Sequence, residues 1–125
     1  MRAGAKTAAA GTLLAFFIAA LPAVSEPVKM TGPQIEAALT GSAVEGVWGA
    51  TAYVSTFDAT GGTTYTAEGR PPSHGRWSVK GDQYCSVWEQ SGESCYDLER
   101  EGDTLIWIVP GTGQRYPSTL IKGQP

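Results

Sequence analysis

From Gly46 onward the chain alternates in character with a period of two, is rich in β-branched and aromatic residues, and is broken at short intervals by Gly, Asp and Pro. That period belongs to a strand with one buried face, and breaks so closely spaced leave connections that suit antiparallel neighbours. The expected fold is therefore mostly β: a small antiparallel meander of about seven strands, closing into a barrel or a sandwich.

The first strand is expected to carry Trp48, Ala50, Ala52 and Val54 on one face and Tyr53 and Phe57 on the other, before a turn at Asp58-Ala59-Thr60-Gly61-Gly62. Further strands are expected over residues 63–68, 75–79, 83–88, 94–100, 104–109 and 115–121, with the Pro-rich segment Arg70-Pro71-Pro72-Ser73-His74 read as a loop. Gly81-Asp82 and Gly102-Asp103 mark two similar turns, too little self-similarity for a repeat protein. In the strand over 104–109, Leu105, Trp107 and Val109 share one face and Ile106 and Ile108 the other, so both faces are expected to be covered.

One short helix precedes the strands. Thr31 has the character of an N-cap, Gln34 follows it three residues later, Pro33 lies in the first turn, and Ile35, Ala38 and Leu39 recur at helical spacing before Gly41. This predicts a helix over about 33–39, preceded by an extended arm at 26–30 and placed to close one end of the barrel or sandwich.

The N-terminus has the pattern of a secretory leader. Arg2 and Lys6 precede an uncharged run over residues 7–21 centred on Leu13-Leu14-Ala15-Phe16-Phe17-Ile18, too short for the roughly 20 residues of a spanning helix. Pro22 and the small residues of Ala23-Val24-Ser25 place the expected cut after Ser25, with a cut after Ala23 as the nearby alternative. Residues 1–25 are thus expected to be a signal peptide and 26–125 a single secreted β-domain, with no stable membrane insertion once the leader is removed. An uncleaved N-terminal anchor is the competing reading.

Removing Arg2 and Lys6 from the nine basic residues leaves seven against twelve acidic ones, a net charge near −5 that offers no footprint for a nucleic-acid backbone. Cys85 and Cys95 are the only cysteines, and in an exported domain they are expected to form a disulfide worth roughly 2–3 kcal/mol. If they lie directly opposite each other, Val87 faces Glu93 and residues 88–92 form the hairpin loop. Two cysteines and a single distant histidine do not make a structural zinc site, so neither a metal nor a cofactor is expected.

The run from Gly75-Arg76-Trp77 through Gly81-Asp82-Gln83-Tyr84-Cys85, then Cys95-Tyr96 and Gly102-Asp103, together with Leu39-Thr40-Gly41, resembles small exported proteobacterial proteins of uncharacterised function. The resemblance spans residues 31–109. It implies an envelope location and a lipocalin-like β-meander, and it brings no catalytic residues with it.

Functional candidates are few. His74 is the only histidine, and a trio of Ser73 or Ser78, His74 and Asp82 has no strained nucleophile turn to support it. The pairs Glu89 and Glu93, Asp97 and Glu99, and Glu101 and Asp103 read as solvated turn or outer-face charges. Four tryptophans and five tyrosines in so small a domain are the stronger signal, because such residues fill β cores and also line ligand cavities. Candidate contacts are Tyr84, Trp88, Trp48, Trp77 and Trp107. Tyr84 and Trp88 are expected to be the exposed members, opposite the face of Cys85 and Val87. The expected function is a non-catalytic, exported, periplasmic binding or interaction module acting on an envelope protein or a small apolar ligand. A lipocalin-like carrier of a small apolar molecule and a small hydrolase are the alternatives.

Overall fold

The computed structural model describes residues 25–123, so the expected leader, apart from Ser25, lies outside the described residues. The elements are β1 (Val28–Lys29), α1 (Gly32–Leu39), β2 (Ser42–Trp48), β3 (Thr51–Phe57), β4 (Gly62–Ala67), β5 (Ser73–Lys80), β6 (Gln83–Trp88), β7 (Ser91–Glu101), β8 (Thr104–Ile108) and β9 (Arg115–Ile121). From β2 to β9 each strand pairs antiparallel with the next, and β9 returns to pair with β2. The result is a closed eight-stranded up-and-down barrel plus the short β1, which settles the choice between barrel and sandwich. Closure leaves no long free edge. β1 extends the expected arm along the far end of β7, with Val28 opposite Arg100 and Lys29 opposite Glu99.

Strand parity decides what faces inward. Opposed inner positions run from Val44 to Ser55 to Tyr65 to Ser73, and from Leu98 to Trp107 to Tyr116. Charged side chains take the outer positions, where Lys80 meets Glu93 at 2.5 Å, Arg115 meets Glu99 at 2.5 Å and Lys29 meets Asp97 at 3.2 Å. Such exposed pairs contribute at most about 1 kcal/mol each.

α1 forms as its sequence requires. Thr31 Oγ1 accepts from the Gln34 backbone N–H at 3.4 Å while Gln34 Oε1 accepts from the Thr31 N–H at 2.9 Å, a reciprocal cap. Ile35, Ala38 and Leu39 are buried and join Met30, Val44, Phe57, Trp77, Tyr84, Leu98, Leu105 and Leu120 in one core. Each fully buried Leu or Ile stabilises by about 1.5–3 kcal/mol. The helix start docks on the β5–β6 turn: the Gly32 N–H donates to Asp82 Oδ1 at 2.7 Å, and a Cβ at Gly32 would lie 2.1 Å from the Gly81 carbonyl oxygen. Only glycine fits so close an approach. α1 thereby plugs one end of the barrel, and Lys122 Nζ donates to the Ala37 carbonyl at 3.1 Å near the helix C-terminus.

At the same closed end the turn after β3 is organised by Asp58, whose Oδ1 accepts from the Gly62 N–H at 2.7 Å and the Thr60 N–H at 3.0 Å. The bond from Gly62, followed by that from the Thr60 hydroxyl, holds the Asp58 carboxyl below the usual carboxylate range. Trp77 Nε1 donates to the Asp58 carbonyl at 3.1 Å and fastens β5 to this turn.

Several expectations need correction. The first expected strand is two strands, because the chain reverses at Gly49 and Ala50, with Gly49 at φ 64. The reversal changes the parity, so Trp48 faces inward with Tyr53 and Phe57, while Ala52 and Val54 face out. Ser73 and His74 belong to β5, not to a loop. The disulfide register is as expected, with Cys85 opposite Cys95 and Val87 opposite Glu93, but Trp88 pairs with Ser91 across a bulge that leaves Gly92 as the extra residue. The expected loop over 88–92 is therefore reduced to a two-residue turn at Glu89 and Gln90. Ile106 and Ile108 stay partly exposed, since α1 packs against β2, β5 and β6 and leaves the outside of β8 uncovered.

Candidate functional site

The end of the barrel opposite α1 is furnished by different residues. It is reached at the C-terminal ends of β2, β4, β6 and β8 and the N-terminal ends of β3, β5, β7 and β9. All eight barrel strands contribute to a cavity of about 390 Å³ in this mouth. Its walls carry Trp48 from β2, Tyr53 from β3, Tyr65 from β4, Trp88 from β6, Tyr96 from β7 and Tyr116 from β9, and its floor is Phe57, Tyr84 and Trp107. Among the described residues, Ser55, Ser73, Ser86 and Val44 complete a lining of nine aromatic rings, three serines and one valine, with no charged side chain.

The rings hold one another in place. Trp48 and Tyr116 meet tilted, with centroids 4.4 Å apart, Tyr53 and Tyr65 stack with centroids 5.2 Å apart, and Tyr65 meets Trp88 edge to face at 6.4 Å. On the floor Tyr84 meets Trp107 edge to face at 4.9 Å. Indole hydrogen bonds fix two of the tryptophans: Trp88 Nε1 donates to Ser86 Oγ at 3.1 Å and Trp107 Nε1 to Ser118 Oγ at 2.8 Å. Two inward glycines make room for the walls. A Cβ at Gly46 would lie 2.8 Å from the Tyr53 hydroxyl oxygen, and one at Gly75 would lie 2.7 Å from the Trp88 ring.

Burial, with a smaller push from the neighbouring Tyr65 phenol, raises Tyr53 above the ordinary tyrosine value. Burial pushes Tyr84 up to about 12, with the Ser86 and Thr63 hydroxyls acting the other way. Both phenols are uncharged at neutral pH, and the cavity is electrically neutral. Comparison with protein families, curated proteins and solved structures finds no match for the chain.

Of the five aromatics singled out from sequence, Trp48, Tyr84, Trp88 and Trp107 line this cavity. Trp77 does not; it is a core residue, 8 % exposed, at the closed end. The expected exposures are partly reversed, because Tyr84 is 4 % exposed and Trp48 is 52 % exposed. The sequence alone does not assign Tyr53, Tyr65, Tyr96 and Tyr116 to a site, nor does it mark Ser55 and Ser86. Their signal is parity: each falls on the inner face once the hairpin at Gly49 is placed.

Other candidates do not converge. His74 faces outward with Nδ1 3.2 Å from Thr64 Oγ1, on the opposite face of β5 from Ser73, while Asp82 is engaged at the closed end with Gly32. Asp97 and Glu99 are outer-face partners of Lys29 and Arg115. Glu93 lies beside Cys85 and Cys95, whose sulfurs are bonded to each other. A second concavity of about 680 Å³ lies on the outer surface of β2, β3 and β4, bordered by Glu45, Val47, Val54, Glu68 and Arg70.

Proposed function

We propose that the protein binds a small, mostly apolar molecule in the barrel mouth and acts outside the cytoplasm as a lipocalin-like carrier. The observation that carries this reading is the neutral, ring-lined cavity of about 390 Å³ at the end of the barrel that the helix leaves open. Pockets that bury small ligands are concave, chiefly apolar and furnished with a few convergent polar groups, and 390 Å³ falls within their usual size range. A surface-binding module would need no such interior space. The Cys85–Cys95 bridge supports an oxidising compartment, and no described helix is long and apolar enough to cross a membrane.

Native mass spectrometry of the protein purified from its own source tests the reading. The expected result is an extra mass on the folded protein that is absent from Ser55→Trp, a variant that fills the cavity while far-ultraviolet circular dichroism reports an intact β fold. A bare parent protein, or the same extra mass on the blocked variant, would contradict it.

A further inference from the structure

We propose that the ligand is an uncharged, planar aromatic compound of one or two fused rings bearing a hydroxyl or carbonyl group. The proposal rests on the reading of the barrel mouth as a ligand site and narrows what can fill it.

Charge narrows the choice first. Among the described residues no Lys, Arg, His, Asp or Glu lines the cavity, so a carboxylate, a phosphate or an ammonium ion would be desolvated there without a partner of opposite charge. Aromatic faces attract a cation, most effectively in a cage where several faces converge on one point. Here faces are turned to each other: Tyr53 and Tyr65 are 25° from parallel at 5.2 Å, and Trp48 and Tyr116 are 33° from parallel at 4.4 Å. Paired rings of this kind extend by adding another ring, offset or edge-on, at separations of about 4.5–7 Å.

Shape and polarity narrow it further. Among the described residues Val44 is the only aliphatic side chain in the lining, and Phe57, Tyr84 and Trp107 close the floor, so a long acyl chain finds neither an aliphatic wall nor a tunnel. Besides the indole N–H groups, which only donate, the polar groups are hydroxyls of serine and tyrosine, which both donate and accept, matching a hydroxyl or carbonyl on the ligand's edge. There is no amide, carboxylate or guanidinium to satisfy the many hydroxyls of a sugar.

Isothermal titration calorimetry of the intact protein with 2-naphthol, its saturated analogue decahydro-2-naphthol, choline and decanoate tests the class. The expected result is binding of 2-naphthol at least about tenfold tighter than of any of the other three, which corresponds to about 1.4 kcal/mol. Decahydro-2-naphthol equalling 2-naphthol would overturn the requirement for a planar ring, and choline or decanoate binding most tightly would overturn the requirement for neutrality. In either case a mouth that still binds would stand as a ligand site. If none of the four binds while the purified protein carries its extra mass, the ligand class fails alone; if the extra mass is missing too, both readings fail.

Discussion

Tyr84 stands on the cavity floor with the Phe57 and Trp107 rings edge-on to it, centroids 5.7 and 4.9 Å away, and burial lifts its phenol to about 12. An unfolded tyrosine ionises near 10, so above that pH the unfolded state sheds a proton that the folded state keeps. The stability contributed is therefore fully present below pH 10 and is lost as pH rises toward 12, to the extent of roughly 2–3 kcal/mol. In an absorbance titration of the five tyrosines, Tyr84 should ionise last and together with unfolding, and Tyr84→Phe should remove that final step. Ionisation of all five near pH 10 in the folded protein would show the floor to be open to water. The aromatic content that makes such a floor is legible in composition. Which rings share it is not, because Gly46 and Gly75 look like strand-weakening residues until the register sets them against Tyr53 and Trp88.

The barrel's seam is unevenly made. β2 pairs with β3 at seven positions, from Ser42 opposite Phe57 to Trp48 opposite Thr51, but with β9 at three, from Ala43 opposite Ile121 to Glu45 opposite Thr119. Carried on toward the mouth, the same register sets Trp48 against Tyr116, and there the contact is between rings 4.4 Å apart in place of backbone pairing. Amide hydrogen exchange should therefore be about tenfold faster or more at residues 46–48 and at Arg115, Tyr116 and Ser118 than at 43–45 and 119–121, reflecting local opening of the mouth half. Uniform protection along the seam would contradict this. Short-range features of the elements were readable: the cap at Thr31 and Gln34, the turn at Asp58, and the Cys85–Cys95 register all follow from local spacing. The hairpin at Gly49 is hidden because one glycine interrupts an otherwise continuous alternation, and without it Trp48 falls on the wrong side. The extra residue Gly92 was missed because the bridge fixes only the pairs on its own side of the bulge.

At the scale of the molecule the two ends of the barrel divide the work. One end is sealed by α1, whose Leu39 joins Leu98, Leu105 and Leu120 in the core, and supplies packing; the other keeps a neutral aromatic cavity and gives up some of that packing for space. A β-meander was legible because each connection is local. Closure depends on residues 43–45 meeting 119–121, a pairing across most of the domain that no local pattern announces. The four tryptophans report on this division, since Trp48, Trp88 and Trp107 line the mouth and Trp77 is tied to the Asp58 carbonyl at the sealed end. Two-dimensional ¹H–¹⁵N spectra resolve their indole N–H signals, and titration with 2-naphthol is the direct test of the mouth as the ligand site. The signals of Trp48, Trp88 and Trp107 should move with added ligand while that of Trp77 stays in place. Movement of Trp77 as large as that of the others, or of Trp77 alone, would contradict the assignment of binding to the open end of the barrel, and no movement of any of the four would contradict 2-naphthol as a member of the ligand class.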